Sequence, residues 1–135
     1  MKDSKVGTVC FVIDQDRVLL AQIQYPDGRL LWNGIGGIVD PGETPKEAAV
    51  REIGEETKIA VDKEFLTEVH ALELGELTPH VYVSRKWSGE LVTIDPTLKQ
   101  LRWFAFDDVP YSEMHDDNDV RLSKILSDFV TDSTQ

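Results

Sequence analysis

The stretch that most limits what this chain can become lies in its first half, where Asn33-Gly34-Ile35-Gly36-Gly37 is followed by Thr44-Pro45-Lys46-Glu47. Three glycines in four residues call for an unusual backbone path or the close approach of another group, so the segment reads as something other than ordinary strand. Thr44-Pro45-Lys46-Glu47 reads as a helix start. Thr44 can cap, Pro45 suits the first helical position, and Glu47 closes a capping box, giving a helix through Ala48 to about Thr57. That helix carries Arg51-Glu52-Ile53-Gly54-Glu55-Glu56.

At about 100° of rotation per residue, Glu52, Glu55 and Glu56 stand at i, i+3 and i+4 and share one face, while Ala49 and Ile53 point to a core. Carboxylates stacked this way repel unless something positive lies between them. A hard divalent cation, Mg²⁺ or Mn²⁺, suits an all-oxygen set. The plainer alternative is a solvated acidic face in which Arg51 pairs with Glu55. Gly54 weighs against it, because glycine inside a helix gives up about 1 kcal/mol relative to alanine, and departures from local rules gather at functional sites.

The rest of the chain supplies a frame for this helix. Val6 to Ile13 and Arg17 to Gln24 read as a hairpin about Asp14-Gln15-Asp16, Tyr25-Pro26-Asp27-Gly28 as a turn, and Leu30 to Trp32 as a short apolar piece. Strand-like segments follow near Phe65 to Leu72, His80 to Trp87, Glu90 to Ile94 and Leu101 to Phe106, with Ser88-Gly89 as a two-residue hairpin turn. A second helix, capped by Asp119, carries Val120, Leu122, Ile125, Leu126 and Phe129 at helical spacing. Strands before, between and after two helices give an α+β domain with a mixed sheet. At 135 residues there is room for one core, so residues 1–135 are expected to form a single domain.

Charge and cysteine usage exclude several classes. With 14 Lys and Arg against 25 Asp and Glu, the net charge is -11, which repels long polyanions and acidic membrane faces. A small anionic substrate escorted by a divalent cation is compatible with it. The single cysteine, Cys10, excludes an internal disulfide and lies in an apolar run as a buried hydrophobe. The apolar stretch from Val6 to Ile13 is too short for a bilayer span, and the chain reads as cytoplasmic.

Gly37, Glu43, Arg51-Glu52-Ile53, Glu55-Glu56 and Ile59 resemble the Nudix box, G-x5-E-x7-R-E-U-x-E-E-x-G-U with U a bulky aliphatic. Eight of nine specified positions agree over residues 37–59. The departure is Lys58 in place of a glycine, which requires either a positive φ at about 1 kcal/mol or a different helix end. The resemblance implies an α/β/α sandwich and a Mg²⁺-dependent hydrolase of nucleoside diphosphate derivatives. It also implies metal binding by Glu52, Glu55, Glu56 and the Gly37 carbonyl, with Glu55 or Glu56 activating water. By the same likeness Arg51 orients the glutamates and Glu43 supports the loop or the metal shell.

Flanking residues carry the likeness further. Trp32-Asn33-Gly34-Ile35-Gly36-Gly37, Arg102-Trp103-Phe104 and Val109 to Asp117 are similar to the MutT-like subgroup, which cleaves oxidised purine nucleoside triphosphates to the monophosphate and pyrophosphate. There an Asn and an Asp pair bind the purine edge, which implies Asn33 with Asp116 and Asp117, or in a shifted register Asp117 and Asn118. His115 replaces a Trp-Pro of that subgroup, and a solvated loop is the plainer reading of Asp116 to Asp119. Gln100 stands near a glutamate of the subgroup and cannot be an anionic ligand, leaving Glu73, Glu76, Glu90 and Asp95 as further carboxylate candidates. His70, His80 and His115 share no ligand spacing. Two rival functions stay open: hydrolysis of ADP-ribose, nucleotide sugars or dinucleoside polyphosphates, and a nucleotide-binding domain without turnover.

Overall fold

The computed structural model describes residues 7–69, 80–90, 98–114 and 122–127. The chain starts with a hairpin of β1 (Gly7–Asp14) and β2 (Arg17–Gln24), whose register pairs Asp14 with Arg17. The connection is thus the two residues Gln15 and Asp16, shorter than the triplet expected. Gln15 takes the left-handed conformation (φ 59°) that so tight a hairpin loop demands. β3 (Leu30–Asn33) returns along β2 after the expected turn, in which Gly28 at φ 91° donates its N–H to the Tyr25 carbonyl.

The glycine-rich segment corrects one expectation. β4 (Ile35–Ile38) is a regular strand antiparallel to β1, and its glycines answer close approach rather than an unusual path. A Cβ on Gly36 would lie 1.9 Å from the Thr8 carbonyl oxygen, and one on Gly34 2.8 Å from the Phe11 ring.

Helix α1 (Pro45–Thr57) has both halves of its capping box: Thr44 Oγ1 accepts from the Glu47 N–H, and Glu47 Oε1 accepts from the Thr44 N–H. It ends at Lys58, which adopts φ 65° and donates its N–H to the Gly54 carbonyl. The first of the two outcomes for Lys58 is the one realised.

The second half departs from the sequence reading wherever pairing is non-local. β5 (Ile59–Ala60) pairs with β8 (Ser88–Gly89), so Ser88-Gly89 is a strand rather than a hairpin turn, and Gly89 reaches φ 102° there. Phe65 closes a 3-10 turn (Lys63–Phe65), and β6 begins one residue later (Leu66–Val69). β7 covers His80–Ser84, and β9 covers Leu98–Ala105, with Phe106 passing into a 3-10 turn. Of the expected Glu90 to Ile94 strand, Glu90 is exposed and outside regular structure, and 91–94 lie outside the described residues.

The main sheet runs β3-β2-β1-β7-β6, with β4 pairing the first half of β1 and β9 pairing the far edge of β2. The β1 to β7 ladder is parallel and the others antiparallel, which gives the mixed sheet expected. Alternation along β1 sorts the core into two layers. Cys10 and Val12 meet Ala49 and Ile53 of α1, while Val9, Phe11 and Ile13 meet Leu122, Ile125 and Leu126 from helical residues 122–127. The sheet is therefore held between helices, an α+β fold.

Candidate active site

β4 lies against α1, with Gly37 directly beneath the Glu52 carboxylate. A Cβ at Gly37 would stand 2.6 to 2.8 Å from the carboxyl atoms of Glu52, so only glycine leaves that carboxylate where it is. Asn33, Ile35 and Gly37 share the α1 side of the sheet, since Asn33 pairs with Ala21 and Ile35 with Cys10, both in the α1 layer. The Asn33 Oδ1 accepts from the Gly34 N–H at 2.8 Å.

Arg51 organises the acidic groups. Its Nε donates to Glu43 Oε2 (3.0 Å), and its Nη2 donates to Glu43 Oε1 (2.8 Å) and to the Ile38 carbonyl (3.1 Å). Its Nη1 donates to Glu52 Oε1 (2.9 Å) and Glu55 Oε1 (3.2 Å), while Asp40 Oδ2 lies 3.4 Å from Nη2. A planar guanidinium with five N–H groups suits this role, since a single cation can face several carboxylates in fixed directions. The pairing with Glu43 raises the Arg51 pKa above its already high ordinary value. Glu43 in turn is held below the usual carboxylate range by Arg51 and by the Asp40 N–H at 2.8 Å.

The three helix carboxylates differ in surroundings. The Glu52 side chain is 16% exposed, that of Glu55 is 60% exposed, and Glu56 is 7% exposed as a residue. The three carboxylates therefore sit at different depths on the helix. Among the described residues no three Asp, Glu, His or Cys groups stand close enough to share a metal ion, because Glu52 and Glu55 turn to the guanidinium that offsets their repulsion. The donor set still suits a hard cation: it is all oxygen, partly sheltered, and opens beside a backbone carrying no Cβ. Sterics do not account for Gly54, for a Cβ there would meet nothing within 4 Å.

The remaining candidates are dispersed. Gln100 donates to Gln22 Oε1 (3.1 Å) and shares its register with Trp32, which belongs to the layer away from α1. His80 on β7 lies 3.3 Å from Glu68 Oε2. Asp116, Asp117, Asn118, His70, His115, Glu73, Glu76 and Asp95 lie outside the described residues. Met114, just before that stretch, forms a parallel bridge with Trp32, the neighbour of Asn33. Sequence reasoning missed Asp40 and the Ile38 carbonyl, whose signal is only their place in the loop that Glu43 and Arg51 close.

The family model described as NUDIX domain matches residues 3–129. The chain belongs to the Nudix family. Its Nudix relatives include the oxidized purine nucleoside triphosphate hydrolase of Danio rerio, 33% identical, with 87% of this chain and 77% of that protein covered. The Mus musculus protein of the same name is 31% identical with the same coverage. Among solved structures, the MutT Nudix hydrolase of Burkholderia pseudomallei aligns at a TM-score of 0.71 with 29% identity, covering 90% of this chain and 98% of that one. The chain is thus a Nudix hydrolase with MutT-like relatives. Among the described residues, no helix of this Nudix fold is long and apolar enough to cross a membrane.

Proposed function

We propose that this Nudix hydrolase is a Mg²⁺-dependent pyrophosphohydrolase of nucleoside triphosphates, acting on an oxidised purine nucleotide of the 8-oxo-dGTP kind and releasing the monophosphate and pyrophosphate. The observation that carries the reading is the fit of Gly37 against the Glu52 carboxylate within an Arg51-centred acidic cluster. Two relatives named for oxidized purine triphosphates, at 33% and 31% identity, support the substrate class. A cytoplasmic setting accords with the unbridged, buried Cys10.

In this reading Glu52, Glu55, Glu56 and the Gly37 carbonyl hold Mg²⁺, or Mn²⁺ in its place. When bound, the ion offsets the charge of the phosphate chain and lowers the pKa of water toward neutrality. The chain's own residues do the positioning that displacement at phosphorus chiefly needs. Arg51 fixes Glu43 and the loop from Ile38 to Glu43, and holds Glu52 and Glu55 in register until a stronger cation competes for them. Glu56, the most buried of the three, is the stronger candidate for accepting a proton from water, with Glu55 as the other. Asn33, on the α1 side of the sheet, offers donor and acceptor together to a purine edge, with Asp116 and Asp117 as its proposed companions.

The test is a hydrolysis screen over ordinary and oxidised purine triphosphates, nucleotide sugars, ADP-ribose and dinucleoside polyphosphates, with Mg²⁺, Mn²⁺ or chelator, and with products identified. The expected result is metal-dependent release of pyrophosphate, highest in kcat/KM for an oxidised purine. Glu56→Gln should lower kcat by roughly 10²- to 10⁴-fold, the range for loss of general base catalysis. Faster turnover of a diphosphate-linked compound would reassign the substrate, and nucleotide binding with no product would remove catalysis altogether.

A further inference from the structure

Beyond the C-terminal end of α1 the surface holds a hollow of about 420 Å³ that shares no residue with the acidic cluster. Its floor is Val61, which is buried, and its aromatic walls are Phe65, 48% exposed, and the half-buried Trp87. Lys86 extends over the Phe65 ring, with Nζ 4.3 Å from the centroid. Wide apolar walls with one or two placed polar groups are the usual make-up of a small-molecule site, and this volume lies inside the usual range.

Hydrogen bonds position the two segments that carry the walls. Asp62 caps the 3-10 turn, its Oδ1 accepting from the Glu64 N–H at 2.9 Å, and that turn sets the position of Phe65. Asp62, the acidic member of the lining, spends one carboxylate oxygen on the Glu64 N–H and keeps its charge, which leaves Lys86 as the place where an anion can sit. On the other side, Ser84 Oγ donates to the Lys86 carbonyl at 2.9 Å and accepts the Lys86 N–H at 3.4 Å, which shapes the connection carrying Lys86 and Trp87. Trp87 is backed by Trp103 at a centroid distance of 5.5 Å, and Trp103 by the Arg17 guanidinium at 4.5 Å. The Lys86 ammonium meets no carboxylate in any ion pair among the described residues, notable in a chain with 25 acidic residues.

We propose that this hollow binds a planar aromatic ring bearing an anionic group, the ring against Trp87 and Phe65 and the anion on Lys86. An uncharged ring would gain nothing from the Lys86 N–H groups, and a bare anion would leave two aromatic walls exposed to water. A quaternary ammonium is repelled by Lys86. A nucleoside monophosphate and an aromatic carboxylate share the required chemistry.

The test is NMR titration of the full chain in chelator, so that the acidic cluster holds no divalent ion, following the Trp87 indole N–H. The probes are AMP, indole-3-carboxylate, adenosine and inorganic phosphate. AMP or the carboxylate should shift Trp87 and its neighbours Phe65 and Ser88, and the tighter of the two identifies the source of the anion. Adenosine and phosphate should each bind at least about tenfold more weakly, about 1.4 kcal/mol. Lys86→Gln should remove the advantage of the charged probes and leave adenosine unaffected, while Phe65→Ser should weaken all ring-bearing probes. Both side chains are exposed, so neither variant threatens the fold. Shifts confined to α1, equal binding of adenosine and AMP, or indifference to Lys86→Gln would overturn the proposal.

Discussion

Gly36 and Gly37 are neighbours on one strand, yet they are glycine for different reasons. At Gly36 the space for a Cβ is taken by the Thr8 carbonyl, which belongs to the β1 backbone and cannot yield without parting the ladder. At Gly37 it is taken by the far end of the Glu52 side chain, which can swing away. Gly36→Ala should therefore destabilise the fold by about 2 kcal/mol or more, as overpacking against backbone does, read as a lowered denaturation midpoint. Gly37→Ala should keep most of the stability and lose activity, because the displaced Glu52 carboxylate is one of those Arg51 aligns. Equal loss of stability in both variants would count against this division. The site was legible in the sequence to the extent that its contacts follow from spacing: the Arg51 to Glu55 pair is one helical turn. The Arg51 to Glu43 contact spans a loop, and the resemblance gave each residue a role without pairing them. The Phe65, Lys86 and Trp87 hollow had no spacing to announce it, since its walls come from segments more than 20 residues apart.

Helix α1 was readable end to end because its determinants are local: the capping box at Thr44 and Glu47, Pro45 inside the first turn, and apolar residues at helical spacing. Strand β8 was not, because its partner is β5, reached only through the intervening chain. Lys58 sits between these cases. The box departure identified the position, and the structure shows it in the left-handed region at φ 65°. Lys58→Gly should stabilise the protein by up to about 0.5 kcal/mol, the relief of about 1 kcal/mol for a non-glycine residue held there less the added freedom of the unfolded chain. Chemical denaturation would read it, and a loss of stability would mean that the Lys58 side chain contributes more than its strain costs. The loop before α1 responds to pH instead. Hydrogen bonds from Arg51, then from the Asp40 N–H, hold the Glu43 carboxyl below its ordinary value in the folded state. A carboxyl whose folded pKa is depressed stabilises the fold above its unfolded pKa of about 4.3, and that contribution is lost as pH falls through the folded value. Glu43→Gln should flatten the decline of unfolding free energy between about pH 5 and pH 3 relative to wild type. Parallel slopes for the two proteins would show that the loop does not carry the effect.

At the scale of the whole molecule, both layers of the core meet at β1, which has β7 on one edge and β2 and β4 on the other. Cys10 lies at the centre of this strand with no exposed surface, and burial pushes its thiol up to about 12, against a smaller opposing effect of the Ser84 backbone. Because the thiolate is the nucleophile, two barriers guard it at pH 8: access, and a thiolate fraction of about one part in ten thousand. Opening only the β3 edge, the β6 edge or the β5 and β8 pair would relieve neither, since none of these covers Cys10 in the ladder. Because Cys10 also packs against Ala49 and Ile53, its exposure requires α1 to leave the sheet, so reaction with a disulfide reagent should report loss of that whole layer together with the sheet it covers. Its rate should rise with denaturant along the slope of global unfolding, and the opening free energy should match the equilibrium value when opening and closing are fast relative to reaction. Gly36→Ala, which disturbs the β1 to β4 pairing directly, should raise the labelling rate by the factor its lowered stability predicts. Lys58→Gly should lower the rate correspondingly. Labelling indifferent to denaturant would mean that β1 is reached by a local opening, and that the two layers do not come apart as one unit.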